Sequence, residues 1–229
     1  YGNNVATALD ATAYRNGFND MNANKEWLLA SPQSEDQSAY YWTAPFAFID
    51  HTTTSYYATY INADFVSKFS NTDVRNLFVA SSTITNPADF RRYTTRKFKF
   101  NFGSDVPLIR TAEMILIDAE ALARTPGKEA EAHDLLYALQ KNRDVNAVKS
   151  TNTGAALIDE ILLERRKELY AENGVEWFDA KRLRKGITRT GNHRIFKNLS
   201  ADDKRFFLKV PQREIDANES IDDSVNKDR

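Results

Sequence analysis

Carboxylates and guanidinium groups crowd one part of this chain. Between residues 158 and 186, Glu160, Glu164, Glu168, Glu172, Glu176 and Asp179 are interleaved with Arg165, Arg166, Lys167 and Arg182. Two chemistries could use so many acids. A pair of carboxyl groups can hydrolyse a glycosidic bond if one stays protonated while the other is ionised. Nothing in the spacing marks one acid as buried with a raised pKa beside an ionised neighbour. The second chemistry is structural, because the planar fork of arginine holds both oxygens of a carboxylate in a buried pair. Leu157, Ile158, Ile161, Leu162, Arg165 and Leu169 recur at helical spacing and put Arg165 on an apolar face, with Glu160, Glu164, Lys167 and Glu168 around the other side. Arg165 or Arg166 is therefore expected to be buried against Glu113, Glu120, Glu172 or Asp179.

Other catalytic patterns are lacking. His51, His133 and His193 are scattered, with no spacing that would hold a metal. No nucleophile elbow, phosphate loop or dinucleotide fingerprint occurs, and zero cysteines remove thiolate chemistry. The sequence assigns no catalytic residue, metal site or cofactor, and the expected role is binding without chemistry.

The aromatic residues suggest what is bound. Twenty of the 27 aromatics precede residue 103, so they concentrate ahead of the regular helical patterns. Tyr40, Tyr41 and Trp42 are consecutive, as are Tyr56 and Tyr57, all in Ser/Thr-rich surroundings. Neighbouring rings on a loop cannot all turn inward. An exposed ring suits the apolar face of a pyranose, while Asp36, Gln37, Asp50 or Asn62 could take its hydroxyls. The plainer alternative is that these rings pack the loops onto helices. Trp42 is the first candidate ligand residue, then Tyr41 and Tyr57, with Tyr40 and Tyr56 beside them. Nucleic acid is disfavoured. Arg96 to Phe102 interleaves basic and aromatic residues, but its period of two reads as a strand with Phe98, Phe100 and Phe102 inside and Lys97 and Lys99 solvated.

Elsewhere the patterns are mainly helical. Asn24–Ala30 is a candidate helix, Tyr57, Tyr60, Ile61, Phe65 and Phe69 mark a helical face, and Asn71-Thr72-Asp73 could cap a short helix reaching Phe78. Pro107 suits the first turn of a helix with Leu108, Ala112, Ile115, Leu116, Ala119 and Leu122 inside. Pro126-Gly127 breaks it, and Glu129–Arg143 returns to complete a hairpin of tetratricopeptide type. Asn173-Gly174 ends the acidic helix. Trp177 then anchors the next helix on Ile161 and Leu169. A net charge of −1 argues against a general binder of nucleic acid or anionic membranes, leaving room for local patches. The 229 residues divide into a loop-rich aromatic ligand-binding region, 1–104, with short helices and a strand, and a helical region, 105–229.

Three segments resemble one family in order. ERRKELYAENGVEWFDAKRLRKG (164–186) carries Glu164, Arg165, Arg166, Glu168, Gly174, Trp177, Asp179 and Arg182. DVPLIRTAEMILIDAEALART (105–125) carries Arg110, Glu113 and Glu120, and FFLKVPQREIDANESI (206–221) closes the series. Together they resemble the SusD/RagB family of outer-membrane nutrient-binding lipoproteins. The resemblance implies a mainly α fold and glycan capture at the cell surface for a SusC-like TonB-dependent transporter. It further implies attachment through a lipid anchor. Peptide or another nutrient is the alternative cargo, and a surface glycoside hydrolase the alternative outside the family. The motif residues are read as scaffold, since the family shares scaffold motifs and not ligand residues. A chain that opens on Tyr1 without an apolar targeting segment reads as the C-terminal part of such a protein.

Overall fold

The computed structural model describes residues 11, 14, 25–34, 36, 49–51, 59–99 and 103–227. Among them the fold is mainly α, with two small sheets. The order is β1 (Trp27–Ser31), α1 (Ala63–Val66), β2 (Phe78–Ala80), β3 (Tyr93–Thr95) and β4 (Val106–Arg110). There follow α2 (Thr111–Ala123), α3 (Glu129–Arg143), α4 (Gly154–Leu169), α5 (Val175–Arg182) and α6 (Gln212–Ala217). Strand β1 pairs antiparallel with β4, and β2 with β3. The chain divides into two compact units. The first is Tyr1–Asn173 with Gly191–Arg194, and the second is Gly174–Thr190 with Ile195–Arg229.

Among its described residues the first unit has three apolar clusters. Ala112, Ile115, Leu116 and Ala119 of α2 meet Ala132, Leu136 and Leu139 of α3 and Leu157 and Ile161 of α4. Small alanines let these backbones approach, and the stripes are those the sequence periodicity gives. A second cluster holds Tyr14, Trp27, Ala30, Ile49 and Phe98, and a third holds Ile61, Phe65, Phe69 and Tyr170.

Several local expectations are corrected. The Asn24–Ala30 segment holds a strand from Trp27, because pairing with Val106–Arg110 outweighs the helical preference of its leucines and alanine. Pro107 lies in that partner strand, opposite Ala30, and the helix starts at Thr111. A proline is tolerated there because a two-stranded sheet has only edges. The Thr111 N–H donates to the Glu26 carbonyl at 2.8 Å, so strand pairing also satisfies the helix start. The face from Tyr60 to Phe69 collapses to the four-residue α1, and Asn71–Phe78 is a series of turns leading into β2. Helix α4 ends at Leu169. Ala171 and Asn173 take left-handed conformations at φ 61° and 45°, and Gly174 at φ 69° starts α5 instead of stopping α4.

Candidate functional site

Helix α4 presents Glu164 and Glu168 inward, and Glu172 continues the same line just past its end; all three are buried. This overturns the expectation that Glu164 and Glu168 lie around a polar outer side. The reason is a set of cations contributed by four other stretches of chain, with Lys167 of α4 itself as a fifth. Glu168 receives Arg110 Nη1 at 3.0 Å and Arg143 Nη2 at 2.9 Å on one oxygen, and Arg75 Nη1 at 3.0 Å on the other. Glu172 takes Arg110 Nε at 2.7 Å and Lys97 Nζ at 2.5 Å. Arg75 also reaches Glu164 at 2.6 Å and Asp73 at 2.8 Å, while Glu26 receives Arg143 at 2.7 Å and Arg110 at 3.3 Å. Lys167 closes the set on Asp73 at 3.2 Å. Among the described residues, five cationic side chains thus face five carboxylates.

The end of α4 explains why the cations collect there. Carbonyls of a last helical turn lack intrahelical partners and carry partial negative charge. The Glu168 carbonyl accepts from Tyr14 Oη at 2.7 Å, Arg110 Nη2 at 3.1 Å and Lys97 Nζ at 3.1 Å, and the Tyr170 carbonyl accepts from Lys97 at 2.9 Å. Lys97 is accordingly buried, not solvated as the alternation of residues 96–102 suggests, and the Tyr170 ring lies 4.2 Å from its ammonium. That segment is no strand through Lys99; the strand ends at Thr95, and Phe98 is buried beside Lys97.

Burial alone would raise the Glu168 carboxyl, yet Arg143, Arg110 and Arg75 together hold it well below the usual carboxylate range. Glu172 shows the same opposition: burial pushes it up, and Arg110 and Lys97 bring it below its usual value. Burial lowers Lys97 to about 8 despite the neighbouring Glu172. Acids held ionised in this way are suited to permanent pairing, and a general acid needs the opposite shift.

Among the residues expected from the sequence, Arg110, Glu164 and Glu168 join this network. Arg165 is buried and its Nη2 stands 2.9 Å from Glu113, one of the acids expected to receive it. Arg166 is exposed, with its guanidinium 4.8 Å from the Phe65 ring centre. Glu120 pairs with Arg124 at 2.8 Å, and Asp179 with Arg182 at 2.8 Å. Trp177 is half-buried, its ring 4.8 Å from that of Phe206. Glu26, Asp73, Arg75, Lys97 and Arg143 are the members the sequence reading missed. One signal was present: acids at 164, 168 and 172 share one helical line, and a line of three buried acids demands cations from elsewhere.

Tyr40, Tyr41, Trp42, Tyr56 and Tyr57 lie outside the described residues, as does Gln37. Of the proposed hydroxyl partners, Asp50 is fully buried and forms a bridge with Thr95, and Asn62 caps α1 by accepting from the Asp64 N–H at 2.8 Å. Both are committed to structure; Asp36 is exposed. Close in sequence to Tyr57, the described residues form a partly exposed aromatic group. His51 and Tyr60 have ring centres 5.1 Å apart, Tyr60 meets Phe90 edge-on at 5.7 Å, and the guanidinium groups of Arg91 and Arg194 each lie 5.6 Å from Phe90. Asn192 anchors the chain two residues before Arg194. It accepts from the Ala63 N–H at 2.7 Å and donates to the Asp89 carbonyl at 2.8 Å.

The sequence model of the SusD family matches residues 8–224. The chain belongs to the SusD family. Solved structures agree in fold. A SusD-like carbohydrate binding protein from Bacteroides vulgatus superposes with a TM-score of 0.78 at 24% identity, over 93% of this chain and 51% of its own. A SusD superfamily protein from Bacteroides thetaiotaomicron gives 0.74 at 24%, over 91% and 50%. One from Parabacteroides distasonis gives 0.64 at 18%, over 92% and 51%. The chain thus spans about half the length of these relatives. Among curated proteins none matches the sequence. No described helix is long and apolar enough to cross a membrane, and no cluster of three or more His, Asp or Glu among the described residues could hold a metal ion.

Proposed function

We propose that this SusD-family chain takes part in non-catalytic capture of oligo- or polysaccharide at the outer face of the outer membrane. The captured glycan passes to a SusC-like TonB-dependent transporter, and a lipid anchor holds the intact protein in place. Family membership over residues 8–224 carries this reading. Two further observations support it. Glu168 and Glu172 are matched by arginine and lysine and held below their usual carboxylate range, which leaves neither suited to protonate a leaving sugar. The aromatic surplus lies in the stretch preceding the scaffold helices, with Trp42, Tyr41 and Tyr57 as the principal ligand residues and Tyr40 and Tyr56 beside them.

The test is a glycan array probed with the protein, followed by mass spectrometry of the eluted ligand. Recovery of intact glycan supports binding without chemistry. Shortened products would establish a hydrolase, and retention of peptides with no glycan would assign the cargo to the other class.

A further inference from the structure

We propose that Asn173 is a site of spontaneous covalent modification, at which the Gly174 nitrogen displaces the side-chain amide, and that the contact of this amide with β4 sets the rate. The site is independent of the glycan reading. Helix α4 already ends at Leu169, so Asn173-Gly174 does not serve as the stop that its sequence suggests. Asparagine is among the chemically labile residues, and a glycine after it exposes the amide to the backbone nitrogen.

The nucleophile is uncommitted. Asn173 and Gly174 are both exposed, and the Gly174 N–H meets no acceptor among the described residues. The carboxamide is the restrained partner. Its Nδ2 donates to the Pro107 carbonyl at 2.9 Å and to the Leu108 carbonyl at 3.3 Å. Asn173 is held at φ 45°, a left-handed conformation that asparagine and aspartate tolerate better than most residues. These surface hydrogen bonds open at far lower cost than the core, so the folded chain still reacts, only more slowly than an unrestrained one.

Hydroxide removes the Gly174 N–H proton, and the nitrogen attacks Asn173 Cγ. A C–N bond forms and closes a cyclic imide, while the Cγ–Nδ2 bond breaks and ammonia leaves. Water then opens either imide carbonyl. One opening gives aspartate, and the other gives isoaspartate, in which the main chain runs through the former side chain. Either product puts a carboxylate where a donor faced the Pro107 and Leu108 carbonyls. Strand β4 also carries Arg110, whose Nε holds Glu172, the residue before Asn173, at 2.7 Å. Modification therefore removes a tie at the edge of the charge network.

The full 229-residue chain is to be incubated in mildly alkaline buffer, folded and in urea, and its tryptic peptides analysed by mass spectrometry. Asn173 falls in peptide 168–181, apart from peptide 16–25 with the other Asn-Gly pair, Asn16-Gly17. The expected result is conversion to aspartate and isoaspartate in both samples, about tenfold slower in the folded one, where two hydrogen bonds must open first. Gly174→Ala should slow the reaction in urea, where strain in the fold plays no part. Asn173→Asp accepts the same backbone conformation and reproduces one product, so its melting midpoint should fall by about 2–4 °C. An amide that stays intact in the folded chain while the denatured chain converts fully would overturn the proposal. So would equal rates in the two samples, undiminished conversion of Gly174→Ala in urea, or an unchanged melt for Asn173→Asp.

Discussion

Glu168 has no exposed side-chain surface and holds three arginines at once. Replacing it by glutamine keeps the shape and removes the charge, leaving cations buried with too few partners. Glu168→Gln is expected to lower stability by about 3–5 kcal/mol in chemical denaturation. Glu168, Glu172 and Asp73 all have carboxyl groups held below their usual values. Their stabilisation is complete above the unfolded pKa and is lost as pH falls through the folded one. Denaturation midpoints should therefore drop progressively from about pH 4.5 downward. Lys97 behaves in the opposite sense. The folded chain releases its proton at about 8 while the unfolded chain retains it to 10.5, so unfolding takes up a proton between these values. That contribution makes stability rise with pH across the window. Burial also holds the hydroxyls of Tyr14 and Tyr170 above their usual 10.0, so their contribution falls beyond it. A stability maximum between about pH 8 and 10, absent in Lys97→Met, is the expected profile; a monotonic decline from neutrality would contradict it.

At the level of elements, the Asn192 side chain anchors the segment Gly191–Arg194. Asn192 is 3% exposed and serves both α1 and the turn before β3. Asn192→Ala should cost about 1–3 kcal/mol, because a donor and an acceptor of the backbone lose their partner. Gly191, at φ 76°, has no room for a Cβ, which would come within 2.7 Å of Asn62 and 2.9 Å of Asp64. Gly191→Ala should therefore destabilise as well, and thermal melts of the two variants check both expectations. The elements differ in how far the sequence revealed them. Helices α3 and α4 were legible because Ala132, Leu136 and Leu139, and Leu157, Ile161 and Leu169, repeat at helical spacing without help from elsewhere. Strands β1 and β4 were not, because the pairing of Trp27 with Arg110 is a contact across the chain that leaves no local period. Lys97 misled for a related reason. Its alternation with phenylalanine suggested solvent, while the carbonyls that bury it belong to residues 168 and 170. The scaffold half of the motif was thus readable, and its counter-ions other than Arg110 were not.

For the molecule as a whole, the scaffold and the ligand residues are expected to be separable. Trp42→Ala should weaken glycan binding by about 1–3 kcal/mol, the loss of one aromatic anchor, with an unchanged melting curve. Glu168→Gln should do the reverse, lowering the melting temperature while the folded fraction keeps its affinity. Titration of both variants with a glycan identified on the array, alongside calorimetric melts, measures the two effects. Equal affinity loss in both would show that the charge network and the ligand site are one cooperative structure.

The distances along the chain within the charge network bear on the order of folding. Arg143 meets Glu26 across 117 residues, and Arg75 meets Glu168 across 93. During synthesis Arg75, Lys97, Arg110 and Arg143 all leave the ribosome before Glu164, Glu168 and Glu172. Until α4 emerges, these four cations have only Glu26 and Asp73 of the network's five acids, and desolvating the unmatched positive charge is unfavourable. Folding of the first unit should therefore wait for α4, although α2 and α3 can pair earlier through local contacts. Ribosome-bound chains ending before Glu164 should stay protease-sensitive, and those with α4 outside the exit tunnel should become resistant in a single step.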